Sequence, residues 1–119
     1  MFTTRRVAVV EGDRQAAEML HTFLRLMELD CSLIPSDSRA IPTLRRDRPD
    51  VLIVDLDLPD LRALEIAREA RLVHRGLPVI FLTERDPLLI PFEAPVLRKP
   101  RDRFEELLRL FELILKFEE

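Results

Sequence analysis

The chain has 119 residues, a length that fits one compact domain spanning 1–119 and able to bury a core of its own. Apolar residues make up 47%, charged residues 34%, and the net charge is −3, a balance that excludes an electrostatic footprint for direct nucleic-acid binding by this domain. No apolar run approaches the roughly 20 residues that span a bilayer. Arg5 and Arg6 are followed by only four apolar residues before Glu11, and the single Cys31 has no cysteine to pair with. A cytoplasmic protein without membrane association, in a reducing compartment, is the expectation.

Val7-Ala8-Val9-Val10 is a continuous apolar run, as a strand buried on both faces of a parallel sheet requires. Gly12-Asp13 supplies a turn and an N-cap. From Arg14 to about Glu28, Ala17, Leu20, Phe23, Leu24 and Met27 recur at helical spacing. Leu33-Ile34 reads as a weak second strand. Ser36 or Asp37 is placed to cap a short helix through Arg46, with Pro42 near its first turn. Val51-Leu52-Ile53-Val54 is a second clear strand, finishing at Asp55. Pro59-Asp60 opens another helix, striped by Leu61, Leu64, Ile66, Ala67 and Ala70 and stopped by Gly76. Val79 to Leu82 is a third clear strand, ending at Thr83. Pro87, Pro91 and Pro95 argue against a long helix after it. Val96-Leu97 is a short last strand, and Arg103 to Lys116 closes the order as an apolar helix. Strands alternating with helices specify an α/β fold, doubly wound, with a five-stranded parallel sheet and right-handed crossovers.

Sites in such sheets form beyond the carboxyl ends of the strands. There the chain carries Glu11 and Asp13, then Asp55 and Asp57, then Thr83, then Lys99. Crowded carboxylates repel one another and favour a bound hard cation such as Mg²⁺. A carboxylate so placed is a nucleophile toward phosphorus, forming an aspartyl phosphate, while a hydroxyl and an ammonium nearby hold the phosphoryl oxygens. Arginine outnumbers lysine 17 to 2, so an amine at position 99 is selective.

The stretches Val7 to Asp13, Pro49 to Leu64, Leu77 to Glu84 and Val96 to Pro100 resemble the receiver domains of response regulators in two-component signalling. The resemblance covers nearly the whole chain, and it is most specific from Pro49 to Pro59. It implies a flavodoxin-like receiver fold with strand order 2-1-3-4-5. It also implies Asp55 as phosphoacceptor, Thr83 as the hydroxyl that binds the phosphoryl group, and Lys99 as its cationic partner. The implied cofactor is Mg²⁺, held by Glu11, Asp13, Asp55 and the backbone carbonyl of Asp57. The lysine–proline bond of the family is typically cis. The implied partner is a histidine kinase or a phosphotransfer protein.

Four departures accompany the likeness. Gly12 stands where the family has its second acid, so the Mg²⁺ site is expected to be weak or absent. Only 15 residues separate Thr83 from Lys99, so the fourth helix is expected to be shortened or missing. Val96 replaces the switch aromatic, and Arg62-Ala63 replaces the usual Asp-Gly. In the last helix, Phe104, Leu107, Leu108, Phe111, Ile114 and Leu115 read as the core stripe, leaving Leu110, Leu113 and Phe117 on the opposite side. Either the loop Leu88 to Phe92 covers those three or they form a homodimer surface. Two functional classes follow. The first is a non-enzymatic receiver, phosphorylated on Asp55 or acting as a phosphorylation-independent pseudo-receiver through protein–protein contact. The second is a haloacid-dehalogenase-like phosphatase with Asp55 as nucleophile, whose motif belongs on a first strand.

Overall fold

The computed structural model describes residues 5–86, 89–100 and 104–116. Its elements run β1 (Arg6–Val10), α1 (Arg14–Leu26), β2 (Asp30–Leu33), α2 (Ala40–Arg46), β3 (Val51–Asp55), a 3-10 turn (Pro59–Leu61), α3 (Arg62–Val73), β4 (Val79–Thr83), β5 (Val96–Arg98) and α4 (Phe104–Lys116). The strands form one parallel sheet in the order β2-β1-β3-β4-β5. No helix occurs among the described residues between β4 and β5, as the spacing and the prolines imply.

Alternate residues of the central strands point to opposite faces, which divides the core in two. Leu52, Val54 and Phe81 pack with Ala40 and Leu44 of α2 and with Ile66, Ala67 and Ala70 of α3. Val51, Ile53, Ile80 and Leu82 pack on the other face with Leu20 and Leu24 of α1 and with Leu110 and Ile114 of α4. Full burial of each large apolar side chain stabilises by about 1.5–3 kcal/mol, so β1, β3 and β4 anchor the molecule.

Residues 89–95 form a strap of irregular chain that covers the sheet here. Ile90, Phe92 and Ala94 of this strap pack against the first core. The Phe92 ring meets Phe81 edge-on, with centroids 5.4 Å apart and planes at 88°. The Arg71 guanidinium lies 4.5 Å from the centre of the same ring. Its Nε donates to the Leu77 carbonyl at 3.0 Å, tying the end of α3 to the approach to β4.

Three expectations are corrected. The second strand is Asp30–Leu33 rather than Leu33-Ile34, in register with Arg6 to Val9. It is an edge strand in which only Cys31 is buried, so its apolar signal is diluted by Asp30 and Ser32. The second helix begins at Ala40, with Arg39 in the capping position and no side-chain cap. Asp37 instead makes a local turn, its Oδ1 accepting from the Arg39 N–H at 2.9 Å. Pro42 lies in the first turn as expected, where its missing N–H costs nothing.

The third correction concerns α4. Leu110 is 0% exposed at the centre of the core-facing stripe, and Leu113 packs against that core as a partly buried residue. Glu105, Arg109, Glu112 and Lys116 are exposed and define the solvent face, so Leu107, Leu110, Phe111 and Ile114 lie opposite it. The side chain of Phe104, together with Leu88 and Phe117, lies outside the described residues. A homodimer surface built on Leu110 is therefore withdrawn. Ile90 and Phe92 cover the other core, not this helix.

Candidate functional site

Each strand end delivers one group. Asp55 is the last residue of β3, Thr83 the last of β4, and Lys99 follows β5, its N–H donating to the Thr83 carbonyl at 2.7 Å. All three are buried, with exposures of 5%, 2% and 7%. Glu11 follows β1, and its side chain is only 2% exposed. The parallel register forces this convergence, because β1, β3, β4 and β5 are consecutive in the sheet and end on one edge.

The groups form one closed network. The Lys99 Nζ lies 3.1 Å from Glu11 Oε2, 3.1 Å from Asp55 Oδ1 and 3.9 Å from Asp57 Oδ2. Asp55 Oδ1 also accepts from the Asp57 N–H at 2.9 Å, and Asp55 Oδ2 from the Gly12 N–H at 3.1 Å. The Thr83 hydroxyl donates to Asp57 Oδ1 at 2.6 Å, and the Glu84 N–H donates to Asp57 Oδ2 at 2.8 Å. A depression of ≈ 390 Å³ lies over the cluster, walled by Gly12, Leu58, Pro59 and Glu84 with Asp55 and Lys99 at its base.

Electrostatics separates the two inner carboxyls. Burial pushes Glu11 up from 4.5 to about 7, reinforced by the hydrogen bond with Asp55. Asp55 is held below the usual 3.8, because bonds from Glu11, the Asp57 and Gly12 amides and Lys99 outweigh its own burial. Lys99 is likewise buried, yet Glu11 and Asp55 hold it charged above the ordinary 10.5. Asp55 is thus the carboxyl held ionised, while Glu11 keeps its proton well above the usual carboxylate range.

The expected residues do not all behave as the resemblance implies. Glu11, Asp55, Asp57, Thr83 and Lys99 come together. Asp13 rims the depression, but its carboxylate caps α1, accepting from the Gln15 N–H at 3.2 Å, while its own N–H donates to Glu11 Oε2 at 2.8 Å. The Asp57 side chain is engaged by Thr83 and Glu84, a contact that strand-end counting does not anticipate. No peptide bond among the described residues is cis, Lys99–Pro100 included.

Magnesium does not fit this arrangement as it stands. No group of three or more His, Cys, Asp or Glu among the described residues is disposed to hold a metal ion. The carboxylate oxygens are already engaged by backbone amides, a hydroxyl and an ammonium.

Two features escaped the reading of the chain. The Gly12 N–H is a ligand of Asp55, and a Cβ at this position would stand 2.9 Å from Leu58 Cδ2 and 3.3 Å from Asp55 Oδ2. A glycine next to a strand-end acid is the available hint of such close approach. Arg62 reaches across to the loop after β2, its Nε donating to the Ser36 carbonyl at 3.1 Å and its Nη2 to the Asp37 carbonyl at 2.7 Å. It also pairs with Glu65. Just before it, Asp60 and Leu61 adopt left-handed backbone angles, φ 55° and 56°.

Comparison with known proteins agrees with this geometry. A sequence profile described as the response regulator receiver domain matches residues 7–91. The chain is 38% identical over 80 residues to the probable transcriptional regulatory protein TcrX of Mycobacterium tuberculosis, covering 67% of this chain and 34% of that protein. It is 35% identical over 81 residues to the DNA-binding response regulator MtrA of Mycolicibacterium smegmatis, covering 68% and 35%. It thus spans about a third of the length of these relatives. Among solved structures, the N-terminal domain of a response regulator/sensory box/GGDEF 3-domain protein from Carboxydothermus hydrogenoformans superposes with a TM-score of 0.80 at 18% identity, covering 96% of each chain. The chemotaxis protein CheY4 of Vibrio cholerae superposes with a TM-score of 0.77 at 19% identity, covering 94% of this chain and 99% of that one. At those identities the superpositions speak for the fold alone, the parallel sheet already described. With the profile spanning β1 through the strap and the site assembled on the strand ends, this chain belongs to the response regulator receiver domain family.

Proposed function

We propose that this receiver domain takes its input at Asp55, accepting a phosphoryl group from a histidine kinase or phosphotransfer protein in the cytoplasm. The observation that supports this is the mutual contact of Asp55 and Lys99 on one strand edge, with the Thr83 hydroxyl beside them on Asp57. In the reaction the Asp55 carboxylate attacks phosphorus while the bond from phosphorus to the donor nitrogen breaks. Lys99 supplies the positive charge that the arriving oxygens need. Thr83 donates to them after leaving Asp57. The signal then leaves by protein–protein contact. The relatives are named as DNA-binding or transcriptional regulators, and this chain spans about a third of their length; the net charge of −3 favours a protein surface over nucleic acid as the partner of this domain.

The test is intact-mass measurement after incubation with acetyl phosphate, with Mg²⁺ and with a chelator, on the natural chain and on Asp55→Asn. A phosphoryl adduct that disappears in the variant supports the acceptor role. A second reading, the phosphorylation-independent receiver, is favoured by the network that already satisfies Asp55 in the resting state. Absence of any adduct selects it. Steady turnover of a generic phosphatase substrate would instead revive the haloacid-dehalogenase-like alternative.

A further inference from the structure

We infer that the ammonium of Lys99 occupies the place of a divalent cation among Glu11, Asp55 and Asp57, so that this acidic site is held together without magnesium. The distances carry the argument. One nitrogen lies 3.1 Å from an oxygen of Glu11, 3.1 Å from an oxygen of Asp55 and 3.9 Å from an oxygen of Asp57. Lysine is a compact point charge with three donors, so it can serve several carboxylates at once. With Lys99 at 7% exposure, the charges face one another in a poorly hydrated setting where such pairing is strong.

Magnesium demands near-octahedral oxygen ligands at about 2.0–2.1 Å and gives up its water reluctantly. The oxygens it would need are committed elsewhere. Asp55 Oδ2 accepts from the Gly12 N–H, Asp55 Oδ1 from the Asp57 N–H, Glu11 Oε2 from the Asp13 N–H, and Asp13 caps α1. Gly12 brings no carboxylate of its own. The space a side chain there would enter is taken by Leu58 Cδ2, 2.9 Å from the position of a Cβ. That atom is the far end of a flexible side chain, so a larger residue is admissible once Leu58 turns.

The inference concerns the same site as the proposed function, but its test reads cation binding alone. Presence or absence of an Asp55 adduct therefore leaves it untouched, and the converse holds. Titrating the intact chain with MgCl₂ in a calorimeter is expected to give no saturable heat up to tens of millimolar. Gly12→Asp is expected to gain saturable uptake, tighter by roughly tenfold or more, because cation affinity follows the number of charged ligands. Lys99→Gln, with the competing ammonium removed, is expected to gain it as well. Should Gly12→Asp fail to fold, Lys99→Gln and the natural chain still decide the matter. Saturable millimolar or tighter binding by the natural chain would overturn the inference, as would folded variants that take up Mg²⁺ no better than it does.

Discussion

Replacing Glu11 by glutamine tests whether the inner carboxyl keeps its proton well above the usual carboxylate range. Glutamine copies the protonated acid, with a carbonyl for Lys99 and the Asp13 N–H and an amide donor toward Asp55. In the natural protein, Glu11 stands at about 7 when folded against 4.5 for the ordinary carboxyl. A raised value means that the folded state keeps a proton the unfolded chain has released. Its stabilising contribution is therefore complete below pH 4.5 and is lost as the pH rises through about 7. At about 1.4 kcal/mol per pH unit, the loss across that interval approaches roughly 3 kcal/mol. Glutamine has no proton to release, so the stability of Glu11→Gln relative to the natural chain should climb by up to about that amount between pH 4.5 and pH 8. The assay is urea unfolding of both proteins across this range in metal-free buffer, read as a difference. Asp55, held below 3.8, changes charge on the acid side of the interval. A difference that stays flat, or that falls as the pH rises, would refute the assignment of the proton to Glu11.

Leu110→Ala removes a side chain that is 0% exposed and should destabilise the fold by about 2–5 kcal/mol in urea titration, with no change in association state by light scattering. Phe92→Ala removes the edge-on contact with Phe81 and the Arg71 cation over the ring, for a loss of about 2 kcal/mol in the same assay. Leu61→Gly relieves a left-handed backbone at a side chain that is 76% exposed, so the midpoint of thermal unfolding should rise, by an amount corresponding to about 1 kcal/mol.

The parts of the molecule that were legible in the chain are those where one physical demand dominates. β1, β3 and β4 are buried on both faces, and such strands must be apolar throughout, so their ends, and with them Asp55 and Thr83, follow directly. That no helix occurs among the described residues between β4 and β5 follows from three prolines in a short connection. Where demands compete, the reading slips. Asp30–Leu33 has one open edge and shows little alternation to detect. α4 is apolar at so many positions that its phase is set by Glu105, Arg109, Glu112 and Lys116, and a reading led by the apolar residues places Leu110 on the wrong side. At the site, strand-end counting finds which groups meet but not which atoms bond. That Gly12 donates its amide to Asp55, and that Asp57 faces Thr83, depends on loop conformations that no periodicity encodes.

Lys99 hangs from the least buttressed strand of the sheet. β5 has three residues, none of them fully buried, and the strap beside it takes the place of a helix. Short elements with few buried contacts open far more often than the global unfolding equilibrium requires. Each such opening withdraws the ammonium and leaves Asp55 without its counter-charge and Glu11 without a donor. By linkage, whatever adds or removes negative charge at Asp55 must then shift how often β5 detaches. Amide hydrogen exchange at Leu97 and Arg98 therefore becomes a gauge of the charge state of a carboxylate two strands away.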